Sequence, residues 1–585
     1  MKKIFISALV ALCGFTASYA QQASFLSNNH CLYRISQESQ NQKCLLLPVQ
    51  ENAEMANIKV IADNKQVKAF NVKLAKDHVD YYVPLYMNEF AGLKGLALDI
   101  HVNGDYSKEG LNALTCWENM KFSDTFDMKN REQYRPDFHH TPVYGWMNDP
   151  NGMVYKDGEY HLFYQWFPFD AIHGMKHWKH LITKDFQHYQ SADDLIPCEL
   201  FESHGCYSGG ALKVGDKLAM FYIGNARRPS DNQRVPYQNL AIFDLNGKLL
   251  SKRPLIENPP EGYTEHVRDP KPYLTKGGKI RFICGAQREN IKGTAIIFEM
   301  DNLEDAPHLL GELSLPAFDN KNVFMWECPD LLKLGDKDVF IWSPQGKERE
   351  AHQFQNNYHA TYAVGKLTDL TFEAEYISEL DQGFDFYAPQ TFGGLDNQTH
   401  AVLFGWIGLP DLTYPIDKFK WHSALTLPRE LRLEGTRIYQ RPITKIYENL
   451  TALSSLHFDE KADIANLDRA YIKFEVNNQA FDLTFFQNEK GQSLRLYYEN
   501  GLVCLDRSQT EQTELMEKFD TKRFCEIENL QTVEIFFDHS IIEIFFNHGE
   551  KAMTSRFFIE NRKNTITSNR PLDLMIGYLP AIQYI

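Results

Sequence analysis

The sequence predicts an all-β protein in which a five-bladed β-propeller is followed by a C-terminal β-sandwich and preceded by a small N-terminal β domain. Two observations predict this architecture. In the middle of the chain, a short turn of Gly, Asp or Asn recurs before a run of apolar and aromatic residues. Toward the C-terminus, strand-like runs are joined by tight polar turns, which is typical of a sandwich. A chain of 585 residues is also too long for one hydrophobic core, so several domains are expected.

The recurring turns have a regular spacing. They are marked by Asp157, Asp216, Gly278, Asp336 and Asp396, which follow one another at steps of 59, 62, 58 and 60 residues. A repeat of this length is the size of one four-stranded blade, so five units predict five blades. The alternative is a series of ordinary hairpins whose spacing is coincidental.

Polar side chains stand at nearly the same distance before each turn. They lie 8 or 9 residues ahead of it and are Asp149, Ser208, Asp269, Glu327 and Tyr387. If this position is on the innermost strand of each blade, the side chains point into the central channel. Three carboxyl groups, from blades one, three and four, are then expected to meet in one axial pocket.

The flanking segments complete the domain prediction. Residues 21–130 are expected to form the small β domain, residues 131–440 the propeller and residues 441–585 the sandwich. Residues 1–20 resemble an export signal, with two lysines, an apolar run and small residues before a cleavage-type position. They predict a secreted, periplasmic or cell-surface protein. A terminal core helix is the alternative interpretation of the same segment.

Composition excludes several classes of function. The net charge of -16 disfavours binding to nucleic acid phosphates, and no later apolar run is long enough to span a membrane. No dinucleotide fingerprint, phosphate-binding loop or serine hydrolase elbow is present. Cys31 with Cys44, or Cys198 with Cys206, are candidate disulfides, although free buried thiols are equally expected. The oligomeric state stays open.

The carboxyl groups suit the hydrolysis of a glycosidic bond. Retention of configuration needs one carboxylate as nucleophile and a second carboxyl group as proton donor, about 5 Å apart. Asp149 stands in the string from Trp146 to Gly152, which reads Trp-Met-Asn-Asp-Pro-Asn-Gly. A plain turn is the alternative for that string. Glu327 follows Trp326, and burial beside an apolar ring is a way to raise the pKa of a proton donor.

These residues belong to a larger set of motifs that resembles the signature of glycoside hydrolase family 32, the invertases, inulinases and levanases. The resemblance extends from about residue 138 to the end of the chain. Its motifs are His140 through Gly152, Val267-Arg268-Asp269-Pro270, Met325-Trp326-Glu327-Cys328-Pro329, Asp385-Phe386-Tyr387-Ala388, Leu427-Pro428-Arg429-Glu430-Leu431, Asp538-His539-Ser540 and Thr554-Ser555-Arg556.

The resemblance implies a retaining hydrolase that releases β-linked fructose from fructans such as levan and inulin, or from sucrose-type sugars. Asp149 is then the nucleophile, Glu327 the acid/base and Asp269 the residue that stabilises the transition state. The substrate-binding residues it implies are Trp146, Asn148, Gln165, Tyr207, Ser208, Arg268 and Trp406. It implies no metal and no cofactor. The alternatives are a fructosyltransferase with the same covalent intermediate, or a fructan-binding protein without activity.

The sequence departs from the family pattern at several positions, and Trp166-Phe167-Pro168 follows Gln165 where Tyr-Asn-Pro is common. His173 stands where a tryptophan is common, Lys179 replaces a glycine, and Gly210 replaces a second serine. We therefore expect an altered pocket wall. His173, His177 and His180 have a spacing that would suit zinc on a helix, but the surrounding residues favour a strand, so no metal site is expected here.

Overall fold

The computed structural model describes residues 22–126, 132–228, 230–395, 399–511 and 520–585. The predicted export signal and the turn at Asp396 lie outside these residues. The all-β prediction is confirmed, and the helices of the described chain are short. The α-helices are α1 Lys108–Asn112, α2 Cys116–Asn119 and α3 Thr444–Glu448, and the 3-10 helices are Ser39–Asn41, Met87–Phe90, Leu200–Glu202, Asp417–Phe419 and Leu467–Arg469. Among the described helices, none combines the length and apolarity that crossing a membrane requires.

The N-terminal part of the described chain forms two small sheets. Its strands are β1 Ala23–Phe25, β2 His30–Arg34, β3 Cys44–Val49, β4 Ala56–Ala62, β5 Lys65–Val72, β6 Tyr81–Tyr86, β7 Ala97–Val102 and β8 Lys121–Ser123. One sheet has the order β1-β2-β7-β4-β5 and the other β6-β3-β8. Burial alternates along β4, so Ile58 and Val60 enter the core while Asn57 and Lys59 face solvent.

The middle of the chain folds into the predicted blades. Their strands are β9 Gly145–Lys156, β10 Glu159–Phe167, β11 His177–Thr183 and β12 His188–Ser191 in blade one; β13 Cys206–Val214, β14 Lys217–Arg227, β15 Arg234–Asp244 and β16 Leu249–Ile256 in blade two; β17 Tyr263–Leu274, β18 Ile280–Arg288, β19 Gly293–Met300 and β20 His308–Glu312 in blade three; β21 Met325–Leu334, β22 Lys337–Gln345, β23 Thr361–Thr368 and β24 Thr371–Glu379 in blade four; and β25 Tyr387–Thr391, β26 Ala401–Ile407, β27 Trp421–His422, β28 Ala424–Leu425, β29 Arg429–Glu434 and β30 Arg437–Pro442 in and after blade five.

The blades close into a ring around the channel. The inner strands β9, β13, β17, β21 and β25 contact one another in this order, and β25 contacts β9. Strand β27 also pairs in parallel with β9, where Trp421 lies opposite Gly145. The end of the propeller segment therefore adds a strand to the first blade and secures the closure.

The C-terminal part forms the predicted sandwich. Its strands are β31 Thr451–Phe458, β32 Lys461–Asp463, β33 Ala470–Glu475, β34 Phe481–Phe485, β35 Leu494–Glu499, β36 Leu502–Asp506, β37 Lys522–Glu526, β38 Thr532–Asp538, β39 Ile541–Phe546, β40 Lys551–Arg556, β41 Thr565–Ser568 and β42 Leu572–Tyr578. The last strand, β43 Gln583–Tyr584, pairs in parallel with β12 of blade one. The two sheets are β31-β42-β33-β38-β39-β40 and β32-β41-β34-β35-β36-β37. Apolar residues such as Ile472, Val503 and Ile544 fill the space between them. The domain borders at residues 130 and 440 stay predictions.

The cysteines do not form the candidate disulfides. Cys31, Cys44, Cys198 and Cys206 are all free thiols. The structure of the described residues is therefore held by packing and by polar networks.

One such network joins the propeller to the sandwich around Arg429 of β29. The fully buried Arg429 donates through Nε to Oε2 of Glu543 in β39 at 2.9 Å, and through Nη1 to Oδ2 of Asp381 at 3.0 Å. His139 lies 2.8 Å from Glu543 and 2.9 Å from Asp538. The Leu-Pro-Arg-Glu-Leu and Asp-His-Ser motifs of the sequence are thus parts of an interface between domains.

Replacing Arg429 by Met is expected to destabilise the protein by about 3 to 5 kcal/mol, because Glu543 and Asp381 would remain as buried charges without their partner. The midpoint of urea unfolding measures the change. Arg432→Met is the matched control, since Arg432 lies on the same strand and its side chain is 35% exposed. Equal midpoints for the two variants would contradict this account.

Candidate active site

A repeated bulge in the inner strands determines which side chains enter the channel. In blades three, four and five, the strand register shifts immediately after Arg268, Glu327 and Tyr387. The residue that follows each of them has a positive φ and precedes a proline; these residues are Asp269, Cys328 and Ala388, at φ 61°, 48° and 47°. A bulge re-aims the side chains around it.

The bulges also show that counting back from the turns does not identify equivalent positions in blades three and four. Counting from the turns placed Asp269 and Glu327 at one equivalent position. The strand pairing instead makes Glu327 equivalent to Arg268, and Asp269 equivalent to Cys328. The two carboxyl groups are therefore offset by one residue, although both lie on inner strands.

Asp149, the predicted nucleophile, is the last acceptor in a series of linked hydrogen bonds. The indole of Trp146 donates to Asn148 Oδ1 at 2.9 Å, and Asn148 Nδ2 donates to Gln165 Oε1 at 2.8 Å. Gln165 Nε2 donates to the Ser208 hydroxyl, which donates to Asp149 Oδ2 at 2.5 Å. Each donor polarises the next, so the chain orients the carboxylate and stabilises its charge. Four predicted substrate-binding residues are joined to Asp149 in this way.

Glu327, the predicted acid/base, has partners on both carboxylate oxygens. Arg268 donates to Oε1 through Nε at 3.0 Å and through Nη2 at 2.7 Å. Tyr387 and Gln345 donate to Oε2 at 2.6 and 2.8 Å. The side chain remains 17% exposed, so a ligand in the channel can reach it.

Cys328 connects the three carboxyl groups. Its Sγ lies 4.0 Å from Asp149 Oδ2 and 3.7 Å from Asp269 Oδ2, and its backbone N–H donates to Asp269 Oδ2 at 3.0 Å. Since Cys328 follows Glu327 in the chain, residues from blades one, three and four converge here. Burial, and then the charge of Glu327, raise the pKa of Asp269 to about 7. The carboxyl groups are therefore close enough to influence one another's protonation.

Burial also raises the pKa of Asp149, and the hydrogen bond from Ser208 opposes this effect. Ser208→Ala should therefore raise that pKa further. A nucleophile must be deprotonated, so activity rises with pH through its pKa, and the acidic limb of kcat/KM should move about one pH unit upward. The pH profile on sucrose checks this expectation. Ser208→Thr keeps the hydroxyl and is expected to keep the wild-type limb; an unshifted limb in Ser208→Ala would contradict the role of the hydrogen bond.

Aromatic side chains form part of the channel wall. The Trp146 ring stacks on His422 with centroids 3.8 Å apart, and its centroid lies 6.3 Å from that of Trp406. Tyr207 lies near His173, at 6.2 Å between centroids. The three predicted aromatic residues therefore surround the same space as the polar ones.

The departures from the family pattern have different consequences. Lys179 lies outside the wall, since its Nζ pairs with Asp194 at 3.1 Å. Gly210 leaves room for a neighbour, because a Cβ there would lie 2.6 Å from Cδ of the buried Lys271. Of these three residues, His173 is the one placed beside Trp146 and Tyr207. The expected alteration of the wall is thus concentrated at His173.

The N-terminal domain braces the loop that carries His173. Phe70 stacks on Phe169 with centroids 4.2 Å apart and an angle of 17° between the rings. The backbone N–H of Met175 donates to Asn71 Oδ1 at 3.3 Å. The domain therefore supports one side of the channel.

The histidine spacing does not produce a helix. His177 and His180 lie in strand β11, while His173 lies in the loop before it. His180 Nε2 lies 3.0 Å from His161 Nδ1 in the adjacent strand, so it is part of the buried core of blade one. The three histidines therefore lie on a strand and a loop, and not on one face of a helix as their spacing would require for binding zinc.

Several residues of the site received no role in the sequence analysis. Tyr387 and Gln345 hold Glu327, and Lys176 is fully buried with its Nζ 4.8 Å over the Trp146 ring. Tyr387 had a signal, since it stands at the repeat position in blade five. Gln345 and Lys176 had no signal in the sequence, because Gln345 reaches the site through strand pairing and Lys176 through the conformation of its loop.

Comparison with known proteins agrees with the geometry. The model of the N-terminal domain of glycosyl hydrolases family 32 matches residues 139–442, and the model of the family's C-terminal domain matches residues 434–569. Residues 27–138 match a domain of unknown function, DUF4980. A sucrose-6-phosphate hydrolase of Bacillus subtilis is 37% identical over 452 residues, which cover 73% of this chain and 90% of the relative. Fold and relatives together define a glycosidase that acts on β-fructosides.

Solved structures support the same assignment. The sucrose-6-phosphate hydrolase from Lactobacillus gasseri has a TM-score of 0.71 and 29% identity, over 78% of this chain and 95% of that structure. A GH32 beta-fructofuranosidase from Bombyx mori has a TM-score of 0.67 and 29% identity, over 77% of this chain and 95% of its own. The chain belongs to glycoside hydrolase family 32.

The prediction of a secreted, periplasmic or cell-surface location is wrong. Relatives from Bacillus subtilis, Vibrio alginolyticus and Staphylococcus xylosus, 37%, 36% and 35% identical to this chain, are all sucrose-6-phosphate hydrolases. A sugar phosphate is charged and does not cross a lipid bilayer freely, so a sugar phosphorylated on uptake stays in the cytoplasm for an enzyme of that name. These relatives therefore indicate a cytoplasmic location. The segment behind the prediction, residues 1–20, lies outside the described residues.

Proposed function

We propose that the protein is a retaining β-fructosidase that uses Asp149 as nucleophile, Glu327 as acid/base and Asp269 to stabilise the transition state. The observation that carries the proposal is the position of Cys328, whose thiol contacts Asp149 and Asp269 while its neighbour Glu327 enters the same channel. Three carboxyl groups around one small space suit a single fructosyl ring.

In the first step, a carboxylate oxygen of Asp149 attacks the anomeric carbon of the fructosyl unit. The bond from that carbon to the leaving oxygen breaks, and Glu327 donates its proton to this oxygen. In the second step, Glu327 takes a proton from water as the water oxygen attacks the same carbon, and the ester to Asp149 breaks. Two inversions give fructose with its β configuration retained.

The neighbouring residues support this division of roles. The hydrogen-bond chain that runs from Trp146 to Ser208 ends with a bond donated to Asp149. Among the ion pairs of the described residues, none gives Asp149 a cationic partner within 4 Å, and a carboxylate without such a partner is better able to attack carbon. Trp146, Asn148, Gln165, Ser208 and Arg268 also offer hydrogen-bonding groups for the hydroxyls of the sugar. Tyr207 and Trp406 add aromatic surface, which sugars contact through their C–H faces.

The proposed substrates carry a terminal β-linked fructose, as in sucrose-type sugars and in the fructans inulin and levan. The Bacillus subtilis and Lactobacillus gasseri relatives named above support a sucrose-type substrate, and a Bombyx mori GH32 beta-fructofuranosidase variant has been crystallised in complex with sucrose. Catalysis by this proposal depends on carboxyl groups of the chain alone.

The test is to incubate the purified protein with sucrose, sucrose 6-phosphate, inulin and levan, and to follow the products by NMR from the first turnover. Free fructose in its β form is expected to appear first. Oligosaccharide products at high sucrose concentration would instead indicate transfer of fructosyl groups to sugar. An α product, or no turnover of any of these sugars, would contradict the proposal.

A further inference from the structure

Two histidines and one aspartate lie together on the outer face of the larger N-terminal sheet. His30 begins β2, and His101 of β7 lies directly opposite it in the strand register. Asp99 precedes His101 by two residues, so it lies on the same face of β7. Their chain neighbours Cys31 and Ile100 point the other way and are fully buried in the core. The backbone of the sheet thus brings three polar side chains together at its surface.

The three side chains direct nitrogen and oxygen atoms into one small space. The two imidazoles stack with centroids 3.9 Å apart and an angle of 18° between the rings. The Nε2 atoms of His30 and His101 lie 2.5 and 3.6 Å from the same oxygen, Asp99 Oδ1. One possible metal ligand atom from each residue lies within 4.8 Å of the other two. This arrangement is the first requirement of a metal site.

Hydrogen bonding satisfies only part of this cluster. His30 is at hydrogen-bond distance from Asp99, whereas the 3.6 Å from His101 to the same oxygen is too long for a hydrogen bond. Among the described ion pairs, Asp99 has no lysine or arginine partner, although Lys59 lies opposite it on β4. The Nε2 atom of His101 therefore lies beside an anionic oxygen without bonding to it. A cation between these atoms would attract all three.

The set of ligand atoms suits a divalent transition-metal cation. Zinc bonds to imidazole nitrogen and carboxylate oxygen are about 2.0 to 2.2 Å long, so tetrahedral ligand atoms lie about 3.3 Å apart. The separations of 2.5 and 3.6 Å lie on either side of that value, and small side-chain rotations are enough to reach it. Magnesium and calcium prefer sites built from oxygen atoms. Two imidazoles therefore favour zinc and its neighbours in the periodic table.

The cluster is accessible to an ion from solvent. The side chains of His30 and Asp99 are each 25% exposed, and that of His101 is 44% exposed. A cation can therefore enter without unfolding of the sheet, and a water molecule can complete four-coordination.

We propose that His30, Asp99 and His101 form a binding site for a divalent transition-metal cation, for which zinc is the probe. The bound cation joins β2 to β7 and stabilises the N-terminal domain, since binding to the folded state alone favours that state. The three residues are not among those that line the channel, so the inference does not depend on the proposed function.

Calorimetric titration of the full metal-free chain with zinc chloride tests the site. The wild-type protein is expected to bind one more zinc ion per chain than His101→Asn. Loss of one of three ligands should weaken this binding by at least about 100-fold, because residues that only orient a metal ligand already contribute about 10- to 100-fold. Asp99→Asn should cause a similar loss, and magnesium chloride should give no binding at this site.

His78→Asn is the matched control. His78 lies in the same domain, is 61% exposed and has its Nε2 3.2 Å from Asp80 Oδ1, but Asp80 has no second histidine partner among the described ion pairs. This variant is expected to keep the wild-type zinc stoichiometry. Equal circular dichroism of all variants without zinc shows that they are folded.

Thermal unfolding tests the structural role of the ion. Zinc should raise the unfolding midpoint of the wild-type protein and of His78→Asn, and should leave that of His101→Asn unchanged. The same zinc stoichiometry in the wild-type protein and in folded His101→Asn would overturn the inference. An equal loss of zinc in His78→Asn would also overturn it, because the binding would then not depend on the two-histidine cluster.

Discussion

Asp149→Asn is expected to lower kcat/KM for every β-fructoside by at least about 10⁴-fold, because the amide oxygen cannot form the covalent bond to the anomeric carbon. The amide occupies the same volume as the carboxylate and can still accept the hydrogen bond from Ser208, which lies 2.5 Å from Oδ2. Binding of the sugar should therefore survive the substitution. Initial rates of fructose release, together with calorimetric binding of sucrose to the variant, measure the two effects separately.

The matched control for this prediction is Asp194→Asn. Asp194 also lies in the segment of blade one, but it pairs with Lys179 away from the channel. Its loss should leave kcat/KM within about twofold of wild type, because the pair does not contact the three carboxyl groups of the channel. If folded Asp149→Asn retained activity similar to that of Asp194→Asn, another residue would have to be the nucleophile.

The number of blades could be predicted from the sequence because it depends on local chemistry. Blades one to four each contain a hairpin whose turn has left-handed backbone positions, as at Asp157 and Gly158 of blade one, and the Gly and Asp residues that favour such positions can be recognised in the sequence. The spacing of such turns repeats with the blade. The sandwich strands were predictable for the same reason, since Val533 to Phe537 and Ile541 to Phe546 flank one tight polar turn.

The position of each side chain within a strand depends on its partner and could not be predicted this way. A bulge shifts the register between neighbouring strands and depends on the hydrogen bonds between them, so the residues of the turn do not predict it. Counting from the turns therefore misplaced Asp269 relative to Glu327 by one residue. The hydrogen-bond chain into Asp149 was hidden for a similar reason, because Gln165 and Ser208 come from different strands.

Motif membership also did not distinguish chemical roles from structural ones. Asp385 precedes Tyr387 by two residues in the same motif. It is fully buried, and accepts from Tyr414 at 2.6 Å and from Arg507 at 2.8 Å, so it joins the propeller to the sandwich. A family signature contains both kinds of residue, and only the fold separates them.

Glu327→Ala is expected to slow the release of poor leaving groups far more than that of good ones. General acid catalysis contributes about 10²- to 10⁴-fold when the departing oxygen needs a proton, and little when it leaves readily as an anion. The loss for sucrose should therefore approach the upper value, whereas β-fructosides with acidic phenols as leaving groups should lose about tenfold or less. A plot of kcat/KM against the pKa of the leaving group measures the difference as a steeper slope in the variant.

Tyr387→Phe separates this role from the packing around Glu327. It removes the hydroxyl that lies 2.6 Å from Oε2 but keeps the carboxyl group, so the slope of that plot should stay near the wild-type value even if the rates fall. The same fractional loss for all leaving groups in Glu327→Ala would mean that Glu327 acts on a step other than proton donation. Because Arg268 and Gln345 would remain in place in both variants, a difference in slope between them reports on the carboxyl group itself.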